Sequence, residues 1–171
     1  PLQFDKTYTE GISKITPEDI SYADELGYSI KHLGIARKTE KGVEMRVHPT
    51  LLSKSRLLAN VNGARNAVLV HGNAVGATLY SGLGAGGEAT ASAVVADLID
   101  IGRQMAAGTT DTVYPPLGCV HMRNDLPVLD IDEIEAEYYL RIRAVDKVGV
   151  MAKISSILQE HNISIEAVIQ K

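Results

Sequence analysis

Apolar residues recur along this chain with two different periods, and the changes of period mark out its elements. Ile20, Ala23 and Leu26 recur at helical spacing behind Thr16-Pro-Glu-Asp19, a hydroxyl cap followed by a first-turn proline and two acids, so a helix is predicted over 17–26, with Gly27 at its left-handed end. Residues 28–38 read as a strand whose apolar phase slips between Ile30 and Leu33, which predicts a bulge near Gly34. Val43, Met45 and Val47 alternate with Glu44, Arg46 and His48, so a second strand pairs with the first in a hairpin and stops at Pro49. The polar run 53–66 reads as a surface connection with a turn at Asn60-Val-Asn-Gly63. Strands over 67–71 and 74–81 flank Gly72-Asn73, a tight hairpin signal. Ala91, Val94, Val95, Leu98, Ile101 and Met105 then form the apolar stripe of a helix over 90–107, expected to pack on a core.

The sum is an α+β fold: a mostly antiparallel sheet with helices on one face, spanning residues 1–107. Residues 108–137, with Pro115-Pro116 and a run of acids, read as a linker. From 138 to 171 the order is strand, helix, strand: Leu140 and Ile142 alternate with arginines, Val150, Ile154, Ile157 and Leu158 make a helical stripe, and Ile163, Ile165 and Ile169 alternate again.

Charge and cysteine content narrow the function classes. Seventeen basic against twenty-one acidic residues leave a net charge of −4, without a basic stripe for nucleic acid. One cysteine, Cys119, has no internal disulfide partner, and neither a secretory leader nor a membrane-length apolar run is evident, so a cytoplasmic setting is expected and no membrane partner. His32, His48, His71, His121 and His161 lack metal-ligand spacing, and no metal site is expected. No Gly-x-Ser-x-Gly frame occurs, which removes the common serine-hydrolase signature, and the paired acids Glu18-Asp19 and Asp24-Glu25 suit helix-dipole partners better than acid/base catalysts.

The chemically suggestive stretch is Gly82-Leu-Gly-Ala-Gly-Gly-Glu-Ala-Thr90, a glycine loop opening the long helix. Without Cβ atoms, it admits close approach by a ligand or a backbone, and the free N–H groups behind it suit a polar group or anion. Gly84-Ala-Gly-Gly87 with Thr90-Ala-Ser-Ala-Val-Val-Ala-Asp97 resembles the closing segment of homoserine dehydrogenases. Glu10-Gly-Ile-Ser-Lys-Ile-Thr-Pro-Glu-Asp19, Ala23-Asp-Glu-Leu-Gly-Tyr28, Val47-His-Pro-Thr50 and Leu58-Ala-Asn-Val-Asn-Gly63 resemble the same family in the same order.

The resemblance implies a NAD- or NADP-dependent oxidoreductase interconverting L-homoserine and L-aspartate 4-semialdehyde, with Gly84, Gly86 and Thr90 against the cofactor. The family's acid/base lysine lies in a Gly-x-Asp-x-x-x-Lys stretch that does not occur here, so no catalytic residue is assigned. A start at Pro1 and an end at Lys171 inside a strand-like run lead to the expectation of a fragment without the nucleotide-binding domain, inactive by itself.

Asp146-Lys-Val-Gly-Val-Met-Ala-Lys153 resembles the opening of ACT domains, ferredoxin-like modules that bind amino acids, with Val148 where that family often has proline. The resemblance implies the first half of such a module, with Asp146, Gly149, Val150 and Met151 at an effector site and threonine as the expected effector. A partial βαβ unit leaves an apolar face uncovered, so a homodimer or higher homo-oligomer is expected. The alternative is an amino-acid-binding regulatory or dimerisation module without catalysis of its own.

Overall fold

The computed structural model describes residues 4–108 and 126–170. Helix α1 (Pro17–Glu25) begins at a complete capping box: Thr16 Oγ1 accepts from the Asp19 N–H, and Asp19 Oδ2 accepts from the Thr16 N–H at 2.9 Å. Gly27, at φ +82°, turns the chain out of the helix as the left-handed position requires.

Strands β2 (Tyr28–Lys38) and β3 (Val43–Ser53) pair antiparallel without interruption from Tyr28↔Ser53 to Lys38↔Val43. The bulge expected near Gly34 is therefore absent, and Gly34 faces Val47 in register. The apparent slip has another cause. Residues 28–31 are half-buried on both faces, because α1 and the short 3₁₀ turn Leu57–Asn60 both pack on β2, and clean alternation begins only beyond them. Pro49 does not end β3 either; it sits opposite His32. The two-residue strand β1 (Tyr8–Thr9) pairs parallel with Arg46 and Val47 and has ended by then, so β3 is a sheet edge at Pro49, where a missing N–H is tolerated.

Strands β4 (Arg65–Gly72) and β5 (Gly76–Leu83) form a separate two-stranded antiparallel sheet, so the single sheet expected divides in two. Their loop is residues 73–75, not the two-residue Gly72-Asn73 turn, and Gly76 takes the positive φ (+75°) that such three-residue loops need.

Helix α2 (Gly87–Ala106) starts three residues earlier than the apolar stripe predicts. It does not pack on a core. None of its residues is buried, and Val94 and Leu98 are 53% and 62% exposed, although their spacing is that of a core-facing stripe.

Part of the stretch read as a linker is pinned to the first sheet: Val128 bridges Val43, whose N–H donates to the Pro127 carbonyl at 2.8 Å and whose carbonyl accepts from Leu129 at 3.0 Å. Among the described residues Leu129, Ile134, Ala23 and Ala59 are the buried apolar side chains, and Asp19 and Glu44 the buried charged ones. Glu44 accepts from Arg37 across the β2–β3 hairpin and lies 3.7 Å from the Arg46 guanidinium.

Helix α3 (Val150–Glu160) follows Gly149 in the left-handed conformation. It ends in a Schellman motif: the Ile163 N–H returns to Leu158 O at 2.8 Å and the Asn162 N–H to Gln159 O at 3.0 Å, with Asn162 itself at φ +57°. The runs 138–145 and 163–170, predicted as strands, form no ladder among the described residues. An alternating pattern becomes a strand only when a partner row of N–H and C=O groups is available.

Candidate functional site

The glycine loop is held by its neighbour strand. The Gly84 N–H donates to Ala64 O at 3.0 Å, and a Cβ on Gly84 would fall 1.3 Å from Asn66 Nδ2, so a side chain at Gly84 would have to displace that of Asn66. Gly86 caps α2 at φ +126°, a conformation that side chains avoid, and offers no capping side chain. The first intrahelical bond runs from the Thr90 N–H to Gly86 O, leaving the N–H groups of Gly87, Glu88 and Ala89 without intrahelical acceptors. A Cβ on Gly86 or Gly87 would meet no atom within 4 Å. The three residues Gly84, Gly86 and Thr90 thus fall on one exposed loop and first helical turn, Gly84 against the Asn66 side chain and Gly86 with open space at its Cβ position.

This donor set fits the uncharged polar parts of a nicotinamide cofactor. Free backbone N–H groups and the positive end of the helix dipole favour carbonyl or hydroxyl oxygens, and Glu88 in the first turn works against a phosphate at the same spot.

Two sets of contacts escape the periodicity, the first in the connection that leads to β4. Lys31 Nζ, on β2, donates to Val61 O and to Asn62 Oδ1, both at 2.7 Å. Asn60 Nδ2 donates to Lys54 O at 3.0 Å and to Arg56 O at 2.9 Å, folding the connection onto itself. The 54–63 stretch is therefore a surface connection, as expected, and one tied by side chains.

The second missed contact is Asp19. Its Oδ2 accepts from the Thr16 N–H and, at 2.8 Å, from the Thr16 hydroxyl; its Oδ1 accepts from the Tyr139 hydroxyl at 3.1 Å and forms an ion pair with Arg141, whose Nε lies 2.7 Å away. Burial pushes this carboxyl up, but the Thr16 donors, Tyr139 and the Arg141 charge outweigh it and hold it below its ordinary value. Burial, followed by the bond to Asp19, raises the Tyr139 phenol. Glu18 is lowered first by its own backbone N–H and then by the Thr16 side chain. A motif reading finds the cap at Thr16–Asp19 but not the partners 120 residues away.

At the second expected site, Asp146, Gly149, Val150 and Met151 come together at the start of α3, with Val150 half-buried and Asp146 exposed. No side chain caps that helix; the Val150 N–H turns back to Lys147 O at 3.4 Å, and those of Met151 and Ala152 have no acceptor within the helix. A cleft of about 530 Å³ lies elsewhere and is lined by Asp5, Tyr8, Val128, Asp130 and Glu133 among others. Two of its three acids are occupied: Asp130 and Glu133 form a capping box on the turn Ile131–Glu133. Among the described residues no group of three His, Cys, Asp or Glu is set to hold a metal, and no helix is long and apolar enough to cross a membrane. His121 and Cys119 lie outside the described residues.

Residues 1–99 match the family profile of homoserine dehydrogenase. The chain belongs to the homoserine dehydrogenase family. Residues 138–171 match the ACT domain, so an ACT segment follows the dehydrogenase segment. Homoserine dehydrogenases of Pseudomonas aeruginosa and Neisseria gonorrhoeae are 56% and 53% identical to it over its whole length. A crystal structure of a homoserine dehydrogenase from Thiobacillus denitrificans superposes on all of the chain with a TM-score of 0.84 at 53% identity. The chain spans 39% of each of these three relatives. The fold of this homoserine dehydrogenase segment is mixed α and β with antiparallel sheets, as the periodicities predict.

Proposed function

We propose that this chain is the part of an NAD(P)-dependent homoserine dehydrogenase that walls the cofactor pocket and begins its regulatory module. The observation that carries the proposal is the glycine loop: Gly86 and Gly87 border open space, and the N–H groups behind them lack acceptors within the helix. The relatives named homoserine dehydrogenase support the reaction, interconversion of L-homoserine and L-aspartate 4-semialdehyde. Gly84, Gly86 and Thr90 border the cofactor in this reading. The acid/base group and the dinucleotide fold come from other parts of the full-length enzyme, and this chain alone is inactive.

In the same reading residues 1–107 belong to the catalytic domain, 108–137 connect, and 138–171 begin the ACT module, where Asp146, Gly149, Val150 and Met151 bind threonine. The enzyme is cytoplasmic and works as a homodimer or higher oligomer, whose contacts would cover apolar side chains such as Leu140 and Ile142.

The test is Gly87→Val in the full-length protein. Gly87 has an ordinary backbone conformation and no atom of this chain within 4 Å of its Cβ position, so the new side chain meets no neighbour within this chain. Cofactor affinity by calorimetry should fall at least tenfold with circular dichroism unchanged. Unchanged affinity would return the loop to a packing turn.

A further inference from the structure

We propose that Lys31 is the positioning residue of the glycine loop, an inference that rests on the cofactor reading above for its consequence but not for its geometry. Lys31 lies on β2, in the first sheet, whereas the glycine loop leaves β5, in the second. Between the two sheets runs the connection 54–64. Its end is held by the Lys31 ammonium, which spans to Val61 O and Asn62 Oδ1 at 2.7 Å each. Asn62 Nδ2 continues the tie to Asn60 O at 3.3 Å, and the Arg65 N–H returns to Asn62 O at 3.3 Å.

Two residues past Asn62, the Ala64 carbonyl accepts the Gly84 N–H, and the Asn66 side chain fills the place where a Gly84 Cβ would stand. The glycine loop therefore begins from backbone whose position Lys31 sets. A lysine suits this task because one ammonium carries several donors, and charged donors make the strongest hydrogen bonds to carbonyl and amide oxygens. Methionine would preserve the stem and lose both bonds; arginine would keep the charge but replace a point donor by a planar fork. The role is indirect: Lys31 acts on the loop through residues 61–66, and no contact with substrate is implied.

Two measurements on the full-length protein test it. In hydrogen exchange of the cofactor-free protein, Lys31→Met should speed exchange of the amides over 62–66 and 82–90 about tenfold while leaving those of α1 and of 126–134 unchanged. In calorimetry the same variant should bind the nicotinamide dinucleotide about tenfold more weakly, raise its KM and change kcat less than twofold, with Lys31→Arg recovering part of the loss. A lysine that only staples the fold would accelerate exchange throughout and leave dinucleotide affinity alone, and that result would overturn the proposal. If Lys31→Met does not fold, Asn62→Ala, which removes one acceptor and keeps Lys31, should give the same local exchange pattern at about threefold, and unchanged exchange over 82–90 would overturn it equally. Gly87→Val separates the two readings: if it leaves dinucleotide affinity intact, the cofactor reading fails while exchange still decides the role of Lys31, and if it weakens binding but Lys31→Met leaves 82–90 undisturbed, only the Lys31 assignment falls.

Discussion

Replacing Asp19 by asparagine should loosen the start of α1 and the 138–142 segment together. The carboxylate receives three hydrogen bonds and one ion pair: the Thr16 N–H and hydroxyl donate to one oxygen, the Tyr139 hydroxyl to the other, and Arg141 Nε lies 2.7 Å from that second oxygen. Asparagine keeps one acceptor and turns an N–H₂ toward donors on the other side, so one pair is lost and nothing replaces it. A bond to a charged group is worth about 1.5–3 kcal/mol net, and a helix cap about 1 kcal/mol, so the local opening free energy at pH 7 should fall by about 3 kcal/mol. Native-state hydrogen exchange of the full-length protein reads this directly at residues 17–22 and 138–142. The pH dependence has a definite sign. The folded carboxyl is held below the ordinary aspartate value of about 3.9, so its stabilisation is complete above that value and lost as pH falls through the lower folded value. The gap between parent and variant should be constant near neutrality and narrow below about pH 4. A gap under about 0.5 kcal/mol at pH 7, or one that widens on acidification, would refute the assignment of Asp19 as a charged joint between the two segments.

Tyr139→Phe removes one neutral donor from the same joint and should cost about 1 kcal/mol in that exchange measurement; no change at 17–22 would exclude the phenol from the cap. Gly42→Ala places a Cβ 2.4 Å from Pro127 O, so it should unseat residues 126–129 from the edge of β3 at a cost of about 1–3 kcal/mol, read as new protease cleavage there. Asn162→Val puts a branched side chain at φ +57° in the helix end and should destabilise α3 by about 1–2 kcal/mol, measured as faster exchange of its last turn, whereas Asn162→Gly should be neutral. Asp146→Ala, at an exposed position before α3, should weaken threonine binding to the full-length protein about tenfold by calorimetry; equal binding would remove Asp146 from the effector site.

What the sequence determined by itself is local. The cap of α1, the β2–β3 and β4–β5 hairpins, the stripe of α2 and the helix of the ACT segment all follow from spacing and turn residues, because each depends on neighbours a few positions away. The order of family motifs identified the dehydrogenase, and the match over 1–99 supports it. Tertiary structure decided the rest, where distant groups meet. Pro49 continues β3 because β1 stops short of it, a fact about a two-residue strand too brief to show a period. The runs 138–145 and 163–170 carry strand-like alternation yet form no ladder among the described residues, since pairing needs a partner that no local pattern provides. The Asp19–Arg141 bond spans more than a hundred residues, and the hold of Lys31 on Asn62 spans 31; charges at such separations leave no mark on periodicity, because a long side chain reaches its partner only after the backbone has brought the two together.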